Sequence, residues 1–186
     1  MLEKSLIKFD SFNTRQNLPS ASSAKRGELL FGLGFIRRFL DSHYGHGVGG
    51  REFPMSGYGT TDFLWVDFPL KSKKLSPENL RITSFEFKLD NWRKALMQAY
   101  RYSYFSNRSI VILPQEIASR AAYHSEVFEH LGVGLWSFGR QDTTIKEIYT
   151  PEKTSAKNPK AREKVIETLS TKVKFRKFCE QSNALL

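Results

Sequence analysis

Glu86 and Lys88 lie two residues apart in the run Ile82-Thr83-Ser84-Phe85-Glu86-Phe87-Lys88-Leu89-Asp90, where Phe85, Phe87 and Leu89 alternate with Ser84, Glu86 and Lys88. A period of two marks a strand whose successive side chains face opposite ways. Glu86 and Lys88 therefore share a face, about 6–7 Å apart along the strand. A carboxylate beside an ammonium, backed by aromatic residues, supplies a metal ligand and a charge stabiliser for phosphate hydrolysis. The run Thr61-Asp62-Phe63-Leu64-Trp65-Val66-Asp67-Phe68 offers the second carboxylate. Asp62 and Asp67 face opposite ways in an alternating strand, so only one of them can meet Glu86. Asp62 is the expected partner and Asp67 the alternative. Two such carboxylates suit Mg²⁺, which keeps several of its waters, with Mn²⁺ as a substitute. Further on, Gln98 and Tyr102 are i, i+4 neighbours on one helix face, able to orient Lys88, a water or a phosphate. Lys94 falls on the same face and is placed to bind phosphate.

The elements that would position these groups follow from periodicity. Residues 23–44 carry Leu29, Leu30, Leu33, Phe35, Ile36, Phe39 and Leu40 at helical spacing, with Ser22 or Ser23 as N-cap. Six of the twelve glycines fall between 45 and 59, which reads as a long turn or mobile loop. A strand over 61–68 ends at Pro69, and a polar turn over 71–78 leads to the Glu86 strand. Asp90 or Asn91 can cap a helix over 92–105, followed by the buried-type strand 109–113. A helix over 114–131 and strands over 133–138 and 145–149 complete the pattern. The expected fold is α/β, a mixed sheet flanked by helices. Residues 1–22 read as an arm, 23–150 as the core, and 151–186 as a basic helical C-terminal extension. In that extension nine basic residues face four acidic ones, with a helix over 159–169.

Composition narrows the function classes. At 186 residues with fifteen Phe, seven Tyr and three Trp, the chain can bury a proper core. A net charge of +10 favours a polyanionic partner, DNA before RNA, with a membrane surface as the competing reading. No apolar run approaches the roughly 18–20 residues that span a bilayer, and a soluble cytoplasmic protein is expected. The single Cys179 has no visible activating partner, and His43 and His46 belong to a loop rather than a metal pair. There is no Gly-x-Ser-x-Gly elbow and no phosphate-binding Gly-x-x-x-x-Gly-Lys-Ser/Thr loop.

Asp62, Glu86-Phe87-Lys88, Gln98 and Tyr102 together give the chain a pattern that resembles the PD-(D/E)XK, or restriction-endonuclease-like, nuclease superfamily. The resemblance covers roughly residues 24–140 and includes the branch whose helix carries Gln-x-x-x-Tyr. The Pro-Asp dipeptide of the family is absent, since Thr61 precedes Asp62. The resemblance implies a restriction-endonuclease-like core and Mg²⁺-dependent hydrolysis of DNA. It implies metal ligation by Asp62, Glu86 and the Phe87 carbonyl, and an extra carboxylate, Glu28, on the first helix. A homodimer would supply two sites for cutting both strands of a duplex. Such modules also work with partner proteins in larger nuclease, phage or defence assemblies. A different class of function is a nucleic-acid-binding or assembly subunit that keeps the fold with little catalysis. Glu86 and Lys88 would then be an ordinary ion pair, worth under about 1 kcal/mol at a surface.

Overall fold

Phe63 and Trp65 alternate with Asp62, Leu64 and Val66 at the centre of a seven-stranded sheet. The computed structural model describes residues 6–8, 23–43, 47–67, 79–139, 141 and 143–181. In chain order the elements are β1 (Leu6–Lys8), α1 (Ser23–His43), β2 (Gly47–Met55), β3 (Gly59–Asp67), β4 (Arg81–Phe87), α2 (Trp92–Tyr102), β5 (Arg108–Pro114), α3 (Gln115–Ala122), α4 (Ser125–Leu131), β6 (Val133–Phe138), β7 (Ile145–Tyr149), α5 (Pro159–Ser170) and α6 (Val173–Gln181). The strands lie side by side in that same order. β2, β3 and β4 form an antiparallel meander, β4, β5 and β6 run parallel, and β7 returns antiparallel. Parallel neighbours need a crossover, and among β4, β5 and β6 these are supplied by α2 and the α3–α4 pair.

The pleat sorts the core into two faces. Phe63, Trp65, Phe85, Phe87, Ile110 and Ile112 pack against Phe31, Phe35, Ile36 and Phe39 of α1. On the other face Val111, Leu113, Val133 and Leu135 meet α2, α3 and α4, while Leu64, Val66 and Ile82 meet α5 and α6. The β3–β4 ladder pairs Phe63 with Phe85 and Leu64 with Ser84. One further step in that register sets Asp62 across from Glu86, on the face that α2 covers.

Three expectations change. The glycine-rich segment is a strand, not a loop: β2 runs through it. A Cβ on Gly47 would sit 2.5 Å from the Trp65 ring, and one on Gly49 2.5 Å from Phe63. Those glycines make room for the rings of β3 rather than for flexibility. The helix expected over 114–131 is two helices, broken at Tyr123 and His124, whose ring stacks on Trp92 at 5.2 Å. The C-terminal segment carries a second helix, α6, whose Phe175 and Cys179 are fully buried beside Val165 and Leu169 of α5. Both helices are thus part of the core that also holds Tyr102.

At the other end of the chain, Leu6–Lys8 pairs parallel with β2. The rest of the arm (1–5 and 9–22), His46, the 71–78 turn and residues 182–186 lie outside the described residues. Among the described residues, no helix is long and apolar enough to cross a membrane.

Candidate active site

At the C-terminal end of β4 the edge facing β3 bonds to a side chain, while the edge facing β5 keeps its backbone pairing. The Phe87 N–H donates to Asp62 Oδ2 at 2.7 Å, while the Lys88 N–H donates to the Ile112 carbonyl at 3.3 Å. Asp62 is thereby tied to the backbone next to Glu86. The Lys88 side chain curls back, its Nζ lying 3.0 Å from Glu86 Oε1, 3.0 Å from the Phe87 carbonyl and 3.5 Å from Glu28 Oε2. From the opposite side, the Tyr102 hydroxyl reaches Glu86 Oε2 at 2.8 Å and the Thr60 carbonyl at 2.7 Å. Glu86 is only 1% exposed.

Each arm of this arrangement has a local cause. α2 starts where the Asn91 side chain accepts the Lys94 N–H at 3.0 Å, and its buried stripe Ala95, Leu96, Ala99 and Tyr102 faces the sheet. That stripe delivers Tyr102 to Glu86. Glu28 arrives by a close approach of α1: one turn on, a Cβ at Gly32 would stand 2.6 Å from the Phe87 ring. Only glycine lets the helix come this near to β4, and Glu28 shares its face with Gly32.

The electrostatics are those of a buried carboxylate cluster with one cation. Burial and the neighbouring Asp62 push the Glu86 carboxyl up to about 7, against the opposing pull of Lys88 and Tyr102. Burial also raises Asp62, although the Phe87 N–H and Lys88 work the other way. Burial disfavours the Lys88 ammonium, but Glu86 and Asp62 outweigh it and its pKa is raised, so Lys88 stays charged. Burial and Glu86 likewise raise Tyr102, which stays a neutral phenol. A phenol has one proton, yet two acceptors surround this oxygen. Its one proton is shared between the Thr60 carbonyl and Glu86 Oε2, both within donating distance.

The expected site residues fall into two groups. Asp62, Glu86, Phe87, Lys88, Tyr102 and Glu28 converge. Gln98 stands on the same helix with its amide beside the Tyr102 hydroxyl, and its Oε1 is buried without a protein partner. Lys94 is exposed, and its ammonium joins none of the site's ion pairs among the described residues. Asp67 lies at the far end of β3, across from Arg81, and is held by Lys153 Nζ at 3.3 Å. It serves an ion pair there, not the Glu86 cluster.

Two residues without a sequence signal complete the surroundings. Arg51 and Glu52 of β2 help line a cleft of about 310 Å³ together with Glu28, Leu33, Asp62 and Phe87. Glu52 holds a φ of 54°, in the left-handed region that non-glycine residues rarely occupy. Asp62 and Glu28 look into this cleft, while Glu86 lies behind them under Lys88 and Tyr102.

The donor set fits a magnesium-like ion better than zinc. Among the described residues, no group of three or more His, Cys, Asp or Glu is close enough to hold a metal by itself. Mg²⁺ commonly takes one or two carboxylates and fills its shell with water and substrate oxygens. Glu86 Oε1 and the Phe87 carbonyl already converge on one cationic atom, the Lys88 ammonium. No protein-family model matches the chain, and comparisons with curated proteins and with solved structures give no significant match.

Proposed function

We propose that the protein is a divalent-metal-dependent nuclease that hydrolyses DNA phosphodiesters, built on a restriction-endonuclease-like core. The observation that carries this reading is the convergence of Glu86 Oε1 and the Phe87 carbonyl on one cation, with Asp62 accepting the N–H of the same residue, Phe87. Glu86, Asp62 and the Phe87 carbonyl would hold Mg²⁺, or Mn²⁺ in its place. When bound, such an ion polarises the scissile phosphate and makes water a better nucleophile.

The chain's own residues do the rest. Lys88, released from Glu86 and the Phe87 carbonyl, carries its charge to the phosphate and stabilises the extra negative charge of the pentavalent transition state. Tyr102 holds Glu86 Oε2 in place and leaves Oε1 facing the Lys88 ammonium, the position a cation would take. Gln98, with a buried and unpartnered Oε1, is positioned to accept a hydrogen bond from a water or a substrate group. Asp62 and Glu28 form the wall where the phosphate enters. The +10 net charge draws the polyanion to a site whose own carboxylates repel it.

One observation favours a second reading. Lys88 already satisfies Glu86, Phe87 and Glu28, so a chain that never releases it would be a nucleic-acid-binding or assembly subunit with a structural ion cluster. Incubating the purified protein with circular and linear DNA, in Mg²⁺, Mn²⁺ or EDTA, separates the two. Metal-dependent nicking supports the nuclease, and intact DNA under every condition supports the binding subunit.

A further inference from the structure

Nine basic residues lie between Lys153 and Lys177, and most are occupied. Lys153 pairs with Asp67. Arg162 donates to Asn107 and to the Leu80 carbonyl. Arg176 donates to the Ser170 and Thr171 carbonyls, and Lys172 and Lys174 have partners of their own. By contrast, Lys157, Lys160 and Lys164 are exposed and have no carboxylate within ion-pair distance among the described residues.

Two of these lysines share one cleft, and the third stands over a neighbouring tyrosine. Lys160 and Lys164, one turn apart on α5, line a cleft of about 230 Å³ with Ser56, Tyr58 and Asn158. Asn158 Nδ2 donates to the Tyr58 hydroxyl at 2.9 Å, which joins the β2–β3 turn to the start of α5. The backbone N–H groups of Lys157 and Asn158 donate to the Ser103 and Tyr104 carbonyls, anchoring the same segment to the end of α2. Lys157 Nζ rests 4.0 Å above the Tyr100 ring, and the Tyr58 and Tyr104 rings are 5.6 Å apart. The result is a rigid basic wall with a tyrosine floor.

The wall also leads to the candidate active site. Tyr58 closes the β2–β3 turn, four residues before Asp62 of β3, so the two are no more than about 14 Å apart along the chain. That is about four steps of a nucleic-acid strand in a duplex at 3.4 Å each. Thr60, between them, accepts the Tyr102 hydroxyl that also meets Glu86.

We propose that this cleft seats the nucleic-acid backbone on its way to Glu86, through phosphate contacts from Lys160 and Lys164. The proposal rests on the nuclease reading for what happens at Glu86, but backbone binding is measurable without cleavage. The test is fluorescence anisotropy with a fluorescein-labelled 30-base-pair duplex in EDTA, across a salt series, for Lys160→Gln/Lys164→Gln. Losing two phosphate contacts lowers the slope of log affinity against log salt by about 1.8 and weakens binding about tenfold or more at low salt.

The control Arg120→Gln/Lys146→Gln removes the same charge from α3 and from the opposite edge strand, β7, and leaves both quantities near wild type. Equal losses in the two variants, or wild-type slope and affinity in the α5 variant, would overturn the proposal. Both substituted pairs are exposed, and thermal melts establish that each variant is folded. If Glu86→Gln still cleaves DNA while the α5 variant binds weakly, the nuclease reading fails and the cleft stands. If Glu86→Gln is inactive and the α5 variant binds normally, the cleft alone fails.

Discussion

The Tyr102 hydroxyl stands 2.8 Å from Glu86 Oε2, so the carboxylate proposed to hold a metal is fixed by a phenol projecting from the next helix. That contact lowers the Glu86 pKa, while burial and Asp62 raise it to about 7. Near neutral pH the apo site therefore holds a proton that a divalent cation must displace. Mn²⁺ binding should release protons at pH 6.5, and below pH 7 its affinity should fall by up to about tenfold per unit. Calorimetry in two buffers of different ionisation enthalpy checks this. Identical heats, with affinity flat from pH 6 to 8, would show that Glu86 is already ionised.

Tyr102→Phe tests the tyrosine directly. The loss leaves the Thr60 carbonyl without its partner and removes the bond that favours ionised Glu86. A drop in cleavage of about 10- to 100-fold is expected, the range for a group that orients a metal ligand. The acid limb of the pH–rate profile should also move to higher pH, because Glu86 becomes harder to ionise. A uniform loss with no change in the profile would mean a packing role only.

The same carboxyl makes stability depend on pH. Its folded pKa lies above its usual 4.5, so its contribution is fully present below about 4.5 and is lost as pH rises through about 7. The loss is on the order of 3 kcal/mol at about 1.4 kcal/mol per unit. Glu86→Gln removes this titration, so its melting temperature relative to wild type should climb between pH 5 and 8 without metal. Parallel curves for the two proteins would contradict it.

Much of this site is legible in the amino-acid order, for physical reasons that also explain what is not. The alternation around Phe85 and Phe87 fixes Glu86 on the face opposite the rings, and the Asn91 cap with the Ala95–Ala99–Tyr102 spacing aims α2 at it. Asp62 follows from parity with Glu86 in the β3–β4 register. β2 is obscured because glycine count suggests a turn, whereas Gly47 and Gly49 answer to Trp65 and Phe63, contacts made only on folding. Glu52 gives no signal, since its φ is set by tertiary structure. α6 is hidden by Lys174, Arg176 and Lys177, which mask the single apolar stripe of Phe175 and Cys179.

That stripe makes the C-terminal segment a stability element as well as a basic one. Phe175→Ala should cost about 3–5 kcal/mol, because a fully buried ring leaves a cavity beside Val165 and Leu169. Denaturant melts measure it. A change under about 1 kcal/mol would mean that α6 is not docked in solution. Deleting the whole segment is correspondingly a poor test of DNA affinity, and charge removal at exposed lysines is the better one.

Asp62→Asn and Asp67→Asn separate the two aspartates. Asp62→Asn should lower metal-dependent cleavage by about 100-fold or more, in line with losing a ligand of the ion that stabilises transition-state charge. Asp67→Asn should leave cleavage near wild type while releasing Lys153. The opposite ranking would transfer the ligand role to Asp67.

Single-turnover cleavage of supercoiled DNA by wild type and by Glu86→Gln, in Mg²⁺ with an EDTA control, tests the central claim most directly. The prediction is nicked or linear product from wild type, none in EDTA, and a rate at least about 100-fold lower for a folded Glu86→Gln protein. Wild-type rates from Glu86→Gln, or no product from wild type in either Mg²⁺ or Mn²⁺, would contradict it.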